Sequence, residues 1–504
     1  MKDAQVLIVG AGPTGLMLAL WLAKKGVPFR IIERNGGPGE ASRAVAVQAR
    51  TLEFSRQLGI ADEVVASGIV MDRLRLWEGE HEVANVQLGN LGEGLSPYPF
   101  TLSFPQDDHE RLLAEKLKTL GVEIEWDTEL VGFSQDEQKV AATLRHDEVE
   151  ETIEAAYLCG CDGAHSTVRH SLGIGFPGGT YEQLFYVADA KVSGRAAQPH
   201  DVTVCLGEEN FGLCLPVRST ETHRLIGSVP IAAMGKESID FEDVRPSVEP
   251  LLGLKVDEVN WFATYRVHHR VADRFQGGRA FILGDAGHIH SPAGGQGMNT
   301  GIGDAVNLAW KLADVLQNGA KPAILATYEI ERIAFAHQLV ATTDRIFRTA
   351  TGRNPLSRFA RTFLVPSLLP LAFRITGIRR TMFDIVSQTR IDYRHSPLSE
   401  GEGGFVHGGD RLPWVGDRGR DNFKPLASLD WQIHVYGEAK ASLREEASKL
   451  GIRLCEFDWC AAMAPEDVAC HVAYLVRPDG YVAVADPDQD PERLRGFFRK
   501  WHPA

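Results

Sequence analysis

The segment Gly10-Ala11-Gly12-Pro13-Thr14-Gly15 constrains this chain more than any other. It follows an apolar run, residues 5–9. It precedes Leu16, Ala19, Leu20 and Ala23, which repeat at i, i+3, i+4 and i+7 and so share one helical face. A second apolar run, 29–32, closes on Glu33. Two adjacent parallel strands joined by a crossover helix imply an α/β sheet covered on both faces. Gly10 permits the tight turn, Gly12 lets a diphosphate approach the backbone, and Gly15 lets helix and strand pack closely. The helix opening at Pro13 and Thr14 offers free N–H groups and a positive dipole end. Glu33, 18 residues after Gly15, ends the second strand, where a carboxylate can accept both hydroxyls of a ribose. The unit predicts a dinucleotide site and does not separate NAD from FAD.

A second signal does. A strand from Arg279 ends in Gly284-Asp285, followed by Pro292 and then Gly294-Gly295-Gln296-Gly297-Met298-Asn299. A helix is expected to begin near Thr300, with Ala305, Leu308, Ala309 and Leu312 on one face. Asp285 can hydrogen-bond a polyol such as a ribityl chain. The helix start brings a positive dipole end toward an anion, and reduced flavin is negative at its N1–C2=O edge. FAD is the expected cofactor.

The composition excludes other classes. The 504 residues suggest two to four domains, and 44% hydrophobic with 24% charged residues is globular. A net charge of −14 without a long basic run argues against nucleic-acid binding. The seven cysteines are scattered and form no CxxC, which points to free thiols in a reducing cytoplasm. The N-terminal apolar run passes at once into glycines, unlike a signal peptide. Residues 363–373, the most apolar stretch elsewhere, are too few to span a bilayer and contain Pro366 and Pro370, so no stable membrane insertion is expected. His288-Ile289-His290 and His268-His269 lack further ligands at motif spacing, so no metal is expected. No GxSxG is present.

The expected architecture is α/β. Residues 1–72, 98–178 and 270–340 form a discontinuous Rossmann-like FAD-binding domain. Strand-like runs within 68–100 and 180–270 form an inserted, mainly antiparallel substrate domain, 73–97 and 179–269. Residues 341–395 hold ten Arg, three Asp, no Lys and no Glu. They read as part of a helical connector, 341–400, whose arginines pair with neighbouring acidic faces. A dimer interface or an anionic membrane contact are the alternatives. Residues 401–409 read as a glycine-rich linker opening a small C-terminal domain, 401–504. That domain has strands at 432–436 and 472–476, a helix ending at Leu450, and the turn Pro478-Asp479-Gly480.

With Cys161-Asp162-Gly163-Ala164-His165-Ser166-Thr167-Val168-Arg169 between the two glycine motifs, nearly the whole chain resembles the FAD-dependent aromatic hydroxylases. These are single-component flavoprotein monooxygenases similar to para-hydroxybenzoate hydroxylase. The C-terminal part resembles the thioredoxin-like extension of the phenol and polyketide hydroxylase branch; without CxxC it implies a structural role. The resemblance implies that Gly10, Gly12, Pro13, Thr14 and Gly15 surround the diphosphate, with Glu33 and Arg34 beside the adenosine ribose. Arg43 would lie against the phosphates and flavin, and Gln106 near the ribityl or phosphate region. Asp162 would touch FAD and visiting NAD(P)H, with Asp285 on the ribityl or phosphate side. Gly295, Gly297, Met298 and Asn299 would present backbone to the isoalloxazine, with Pro292 on the substrate side. The implied reaction hydroxylates an aromatic, phenolic or polyketide-like molecule with NAD(P)H and O2 through a flavin C4a-hydroperoxide. Epoxidase, Baeyer–Villiger or intermediate-channelling chemistry on the same fold, or a non-catalytic FAD protein, remain alternatives. So do monomer and homodimer. Tyr186, Tyr265, His268 and His290 are the polar residues considered for the substrate side, without a choice among them.

Overall fold

The computed structural model describes residues 4–39, 44–207, 210–292, 294–351, 375–416, 421–459 and 468–502. Its first sheet runs Gln276–Gly277, Ala280–Ile282, Tyr157–Gly160, Val6–Val9, Phe29–Ile32, and all neighbours but the first pair are parallel. Val6, Leu7 and Ile8 are wholly buried, as a strand covered on both faces requires. The helices Pro13–Lys25 and Gly297–Gln317 pack together against it. A three-stranded antiparallel sheet, Thr128–Gln135, Val140–His146 and Val149–Ala155, joins the same core through Leu130, Val140, Ala142 and Leu144.

The inserted sheet has eight strands. From His288–Ile289 it passes through Leu254–Val271, Gly178–Gly194, Ser219–Ser228, Phe211–Val217, Asp201–Leu206 and Arg73–Glu78 to His81–Gln87. Only Arg73–Glu78 and Asp201–Leu206 pair in parallel. Within 180–270, where strand-like runs and turns are expected and no helix, Phe241–Leu252 is a helix. Asp240 and Asp243 close a capping box at its start, and Phe241, Val244, Val248 and Leu252 point its apolar stripe at the sheet. Pro246 and Pro250 inside it disguise the helix in the sequence.

The helix Ala326–Thr351 runs unbroken past residue 340. The middle of the arginine-rich stretch, 352–374, lies outside the described residues; beyond it, Arg394 pairs with Asp410 at 2.6 Å. The C-terminal sheet has the order Val406–His407, Glu400–Gly403, Val482–Asp486, Ala473–Val476, Gln432–Tyr436, Arg453–Phe457. Its β–α–β unit, with helix Ala441–Leu450, is followed by a β–β–α unit ending in Pro491–Trp501, a thioredoxin-like arrangement. The expected linker 401–409 is instead structured. Its glycines allow a tight hairpin: a Cβ on Gly408 would lie 2.3 Å from Glu400 N. Among the described residues no helix is long and apolar enough to cross a membrane.

Candidate flavin and substrate site

The three motifs meet at the carboxyl ends of the parallel strands, the place where such sheets bind ligands. Gly10 has φ +104°, and a Cβ there would lie 2.4 Å from Cys161 O. A Cβ on Gly15 would lie 1.9 Å from Gly10 O. These two glycines are required by contact within the protein. Gly12 differs: a Cβ there would find nothing nearer than Glu110 Oε1 at 4.0 Å, so open space fronts the helix. That helix begins with Pro13, and no side chain caps it. Glu33 Oε2 accepts from Ala11 N at 2.9 Å, which fixes the carboxylate beside the loop; Arg34 next to it is exposed.

Thr14 ties the first motif to the second. A Cβ on Gly284 or Gly301 would come within 2.7 or 2.3 Å of its Oγ1. Asp285 follows Gly284 and is exposed on this turn. The second helix starts at Gly297, not near Thr300, so Gly297, Met298 and Asn299 form its first turn. Its start has no side-chain cap and no acidic residue in the first turn. The Asn299 side chain is saturated by protein. Its Oδ1 accepts from Gln48 N and Thr51 Oγ1 at 2.9 and 2.8 Å, and its Nδ2 donates to Ala46 O and Gly295 O, both at 2.9 Å. It therefore clamps the Gly295 loop to residues 46–51.

Asp162 lies beside Gly10. Its Oδ2 accepts from Val168 N at 3.1 Å, and Oδ1 is buried without a partner among the described residues. Burial pushes this carboxyl upward. Gln106 donates to Glu110 Oε1 at 2.8 Å, and Gly39 N donates to Oε2 at 3.0 Å. Glu110, which faces the loop, belongs to none of the sequence motifs. Arg43 lies outside the described residues. Pro292 is exposed just ahead of the second helix. His290 Nδ1 sits 2.8 Å from Ser291 O, while Nε2 is buried without a partner among the described residues and 3.8 Å from where a Gly297 Cβ would stand. Burial lowers its pKa to about 4, so the ring is neutral at neutral pH.

The eight-stranded sheet presents one face to this region. Pairing puts Phe185 beside Tyr265, Val187 between Ala263 and Ile226, and Asp189 between Trp261 and Arg224. Leu213, Leu215 and Val217 continue this face onto Val45 and Met71. Tyr186 points the other way, into the core under Phe241–Leu252, which removes it from the substrate side. Tyr265 packs on the inner face against Phe185, and His268 Nδ1 sits 2.7 Å from Thr180 Oγ1.

A third set of residues carries no recognisable sequence signal. Asp304, Asn307, Lys311 and Asp314 repeat at i, i+3, i+7 and i+10 and resemble a solvated helix face, yet all are buried. Asp304 accepts from Gly284 N at 3.0 Å and from Arg332 Nε at 2.6 Å, and it lies 2.6 Å from His288 Nε2. Burial alone would raise its carboxyl; Arg332 and His288 outweigh that and hold it low.

The donor set fits FAD. Two uncapped helix starts suit a diphosphate and an anionic ring edge. The space before Gly12 is open, Glu33 stands beside the loop, and Asp162 Oδ1 lacks a partner among the described residues.

Comparison with known proteins agrees. Residues 3–343 match the family described as FAD binding domain. The chain is 35% identical over 409 residues to a 6-methylpretetramide 4-monooxygenase from Streptomyces rimosus, covering 79% of this chain and 72% of that protein. It is 30% identical over 502 residues to a dialkyldecalin synthase from Streptomyces rugosporus, covering 98% of each. Among solved structures, an anhydrotetracycline hydroxylase from Streptomyces rimosus superposes over 100% of both chains, with a TM-score of 0.79 and 28% identity.

Proposed function

The chain belongs to the FAD binding domain family and is a flavin-dependent monooxygenase, and from that premise we propose that it hydroxylates a neutral, multi-ring phenolic compound of polyketide type. The inner sheet face carries this reading. Its rows Phe185–Tyr265 and Ala263–Val187–Ile226–Leu213 are apolar or aromatic. Its buried cation, Arg224, is matched by Asp189 through bonds of 2.7 and 2.8 Å. A carboxylated substrate would need an unmatched cation on this wall; a flat neutral ring system needs only the wall.

FAD would be held by Gly10, Gly12, Pro13, Thr14 and Gly15 at its diphosphate and by Glu33 and Arg34 at its adenosine ribose. Gln106, Asp162 and Asp285 would serve its middle, and the backbone of Gly295, Gly297, Met298 and Asn299 its ring, with Arg43 and Pro292 completing the site. These roles fall to residues 1–72, 98–178 and 270–340, and the substrate wall to 73–97 and 179–269. When bound, FAD supplies the transfer of electrons from NAD(P)H and the activation of O2. The chain orients and shields. The first turn of the Gly297–Gln317 helix stabilises negative charge with its N–H groups. The apolar wall excludes water. With Nδ1–H donating to Ser291 O, His290 Nε2 keeps a free lone pair and can accept a hydrogen bond from a substrate hydroxyl, orienting it. The free thiols suit a reducing cytoplasm, where the protein would act as monomer or homodimer.

The dialkyldecalin synthase relative supports a second reading, chemistry on this fold without net oxygenation. Turnover under ¹⁸O₂ with NAD(P)H and a panel of neutral polycyclic phenols separates the two. The first reading expects substrate-stimulated NAD(P)H consumption, little H2O2 and ¹⁸O in the product. Conversion without NAD(P)H consumption supports the second. NAD(P)H oxidation that no phenol stimulates, with its electrons recovered as H2O2, refutes the proposal.

A further inference from the structure

The turn Pro478-Asp479-Gly480 of the C-terminal domain is plugged into the FAD-binding part. Asp479 Oδ2 accepts from Trp310 Nε1 at 3.0 Å, Asp479 O accepts from Arg50 at 2.6 Å, and Pro478 O accepts from Gln57 Nε2 at 2.9 Å. From this plug a buried series of contacts leads to the candidate flavin seat. The Tyr481 ring packs on the Tyr393 ring with centroids 4.4 Å apart. The Tyr393 hydroxyl accepts from Arg332 Nη1 at 2.9 Å. Arg332 spends its other donors on the seat: Nε on Asp304 Oδ1 at 2.6 Å and Nη2 on Thr300 O at 3.1 Å. Asp304 in turn holds Gly284 N. Arg332, Asp304 and Tyr393 are each 1% exposed.

We propose that Arg332, held by Tyr393, is a positioning residue through which the C-terminal domain sets both halves of the flavin seat, the Gly284-Asp285 turn and the first turn of the Gly297–Gln317 helix. The inference rests on the site assignment above. A guanidinium is a planar fork, so bonds to two elements fix its plane, and the third bond then fixes the plane against the rest of the protein. Here the third bond goes to Tyr393, and Tyr393 lies against the sheet that carries the plug. A domain without CxxC thereby acquires a role, because its docking orients the N–H groups that face the cofactor.

The test uses the full chain. Tyr393→Phe removes the hydroxyl and leaves the ring on Tyr481. FAD should dissociate about tenfold more readily, since one charge-assisted bond to a buried cation is lost. The visible absorption of the bound flavin should also shift, with the melting temperature of the FAD-free protein within about 2 °C of the parent. Tyr481→Leu, at the far end, should act in the same sense. Lys25→Ala removes a contact of the same domain away from the plug, Lys25 Nζ to Leu429 O at 3.1 Å and to Asp430 Oδ1 at 2.7 Å; it should leave flavin affinity and spectrum unchanged. A parent that binds no FAD overturns the site assignment. A parent that binds FAD, with Tyr393→Phe matching it in affinity and spectrum, overturns the positioning role alone. So does a Lys25→Ala variant that weakens FAD as much as Tyr393→Phe does.

Discussion

Replacing Glu331 with Gln probes the buried charge cluster between the FAD-binding part and the C-terminal domain. Glu331 Oε1 accepts from Ser396 Oγ at 2.7 Å and Arg477 Nη1 at 2.8 Å. Its Oε2 accepts from Asn307 Nδ2, Lys311 Nζ and Arg477 Nη2 at 2.6, 2.8 and 3.0 Å. Glu331, Asp479, Lys311 and Arg477 balance to zero charge, and all are buried. Gln leaves one unmatched positive charge and turns one acceptor into a donor facing Arg477. Removing one partner of a buried pair costs about 3–5 kcal/mol. Lys311, which burial lowers to about 8, can shed its proton and limit the loss, so about 3 kcal/mol is expected at pH 7. The pH dependence has a definite sign. Burial alone would raise the Glu331 carboxyl, but Arg477 and Lys311 outweigh it and hold it below its ordinary 4.5. The folded state therefore binds fewer protons than the unfolded chain in acid. This group's stabilisation is whole above pH 4.5 and is lost as pH falls toward the lowered value. The gap between parent and variant should narrow below that pH by up to about 1.4 kcal/mol per pH unit. Urea unfolding followed by tryptophan fluorescence, with Trp310 at the junction, measures it. A gap under about 1 kcal/mol at pH 7, or one constant from pH 7 to 4, refutes the reasoning.

Gly15→Ala places a carbon 1.9 Å from Gly10 O and should abolish FAD retention, read as flavin released per chain on denaturation. Asn299→Leu strands four polar partners around the Gly295 loop and should cost about 3 kcal/mol, measured by urea unfolding. His290→Phe should keep FAD and lower kcat/KM about tenfold, the loss of one orienting hydrogen bond. Because the parent histidine stays neutral down to pH about 4, the parent kcat should show no histidine step near neutrality; such a step would exclude the proposed role.

The strand–helix–strand unit was legible because Gly10 and Gly15 answer to contacts within a few residues or with one neighbouring strand, and local patterns encode them. Phe29–Ile32 and Gln432–Tyr436 fall where the apolar runs put them. The Phe241–Leu252 helix was hidden by its two prolines, which ordinarily argue against a helix interior. Glycines at 401–409 read as a linker because sequence does not separate flexibility from close approach; Gly408 against Glu400 shows the second. In the Gly297–Gln317 helix, the stripe Ala305, Leu308, Ala309 and Leu312 marked one buried face. The polar stripe Asp304, Asn307, Lys311 and Asp314 is buried too, because its partners Glu331, Arg332 and Arg477 arrive from distant parts of the chain. Long-range charge pairing leaves no local period, so this bracing of the site was invisible in sequence.

Titration of the flavin-free protein with FAD and, separately, with FMN tests the central claim most directly. On the proposed assignment the Gly10–Gly15 loop and Glu33 would serve the ADP half that FMN lacks, so FAD should bind at one site per chain and about 100-fold more tightly than FMN. Equal affinity for the two flavins, or no binding of FAD, would contradict the account.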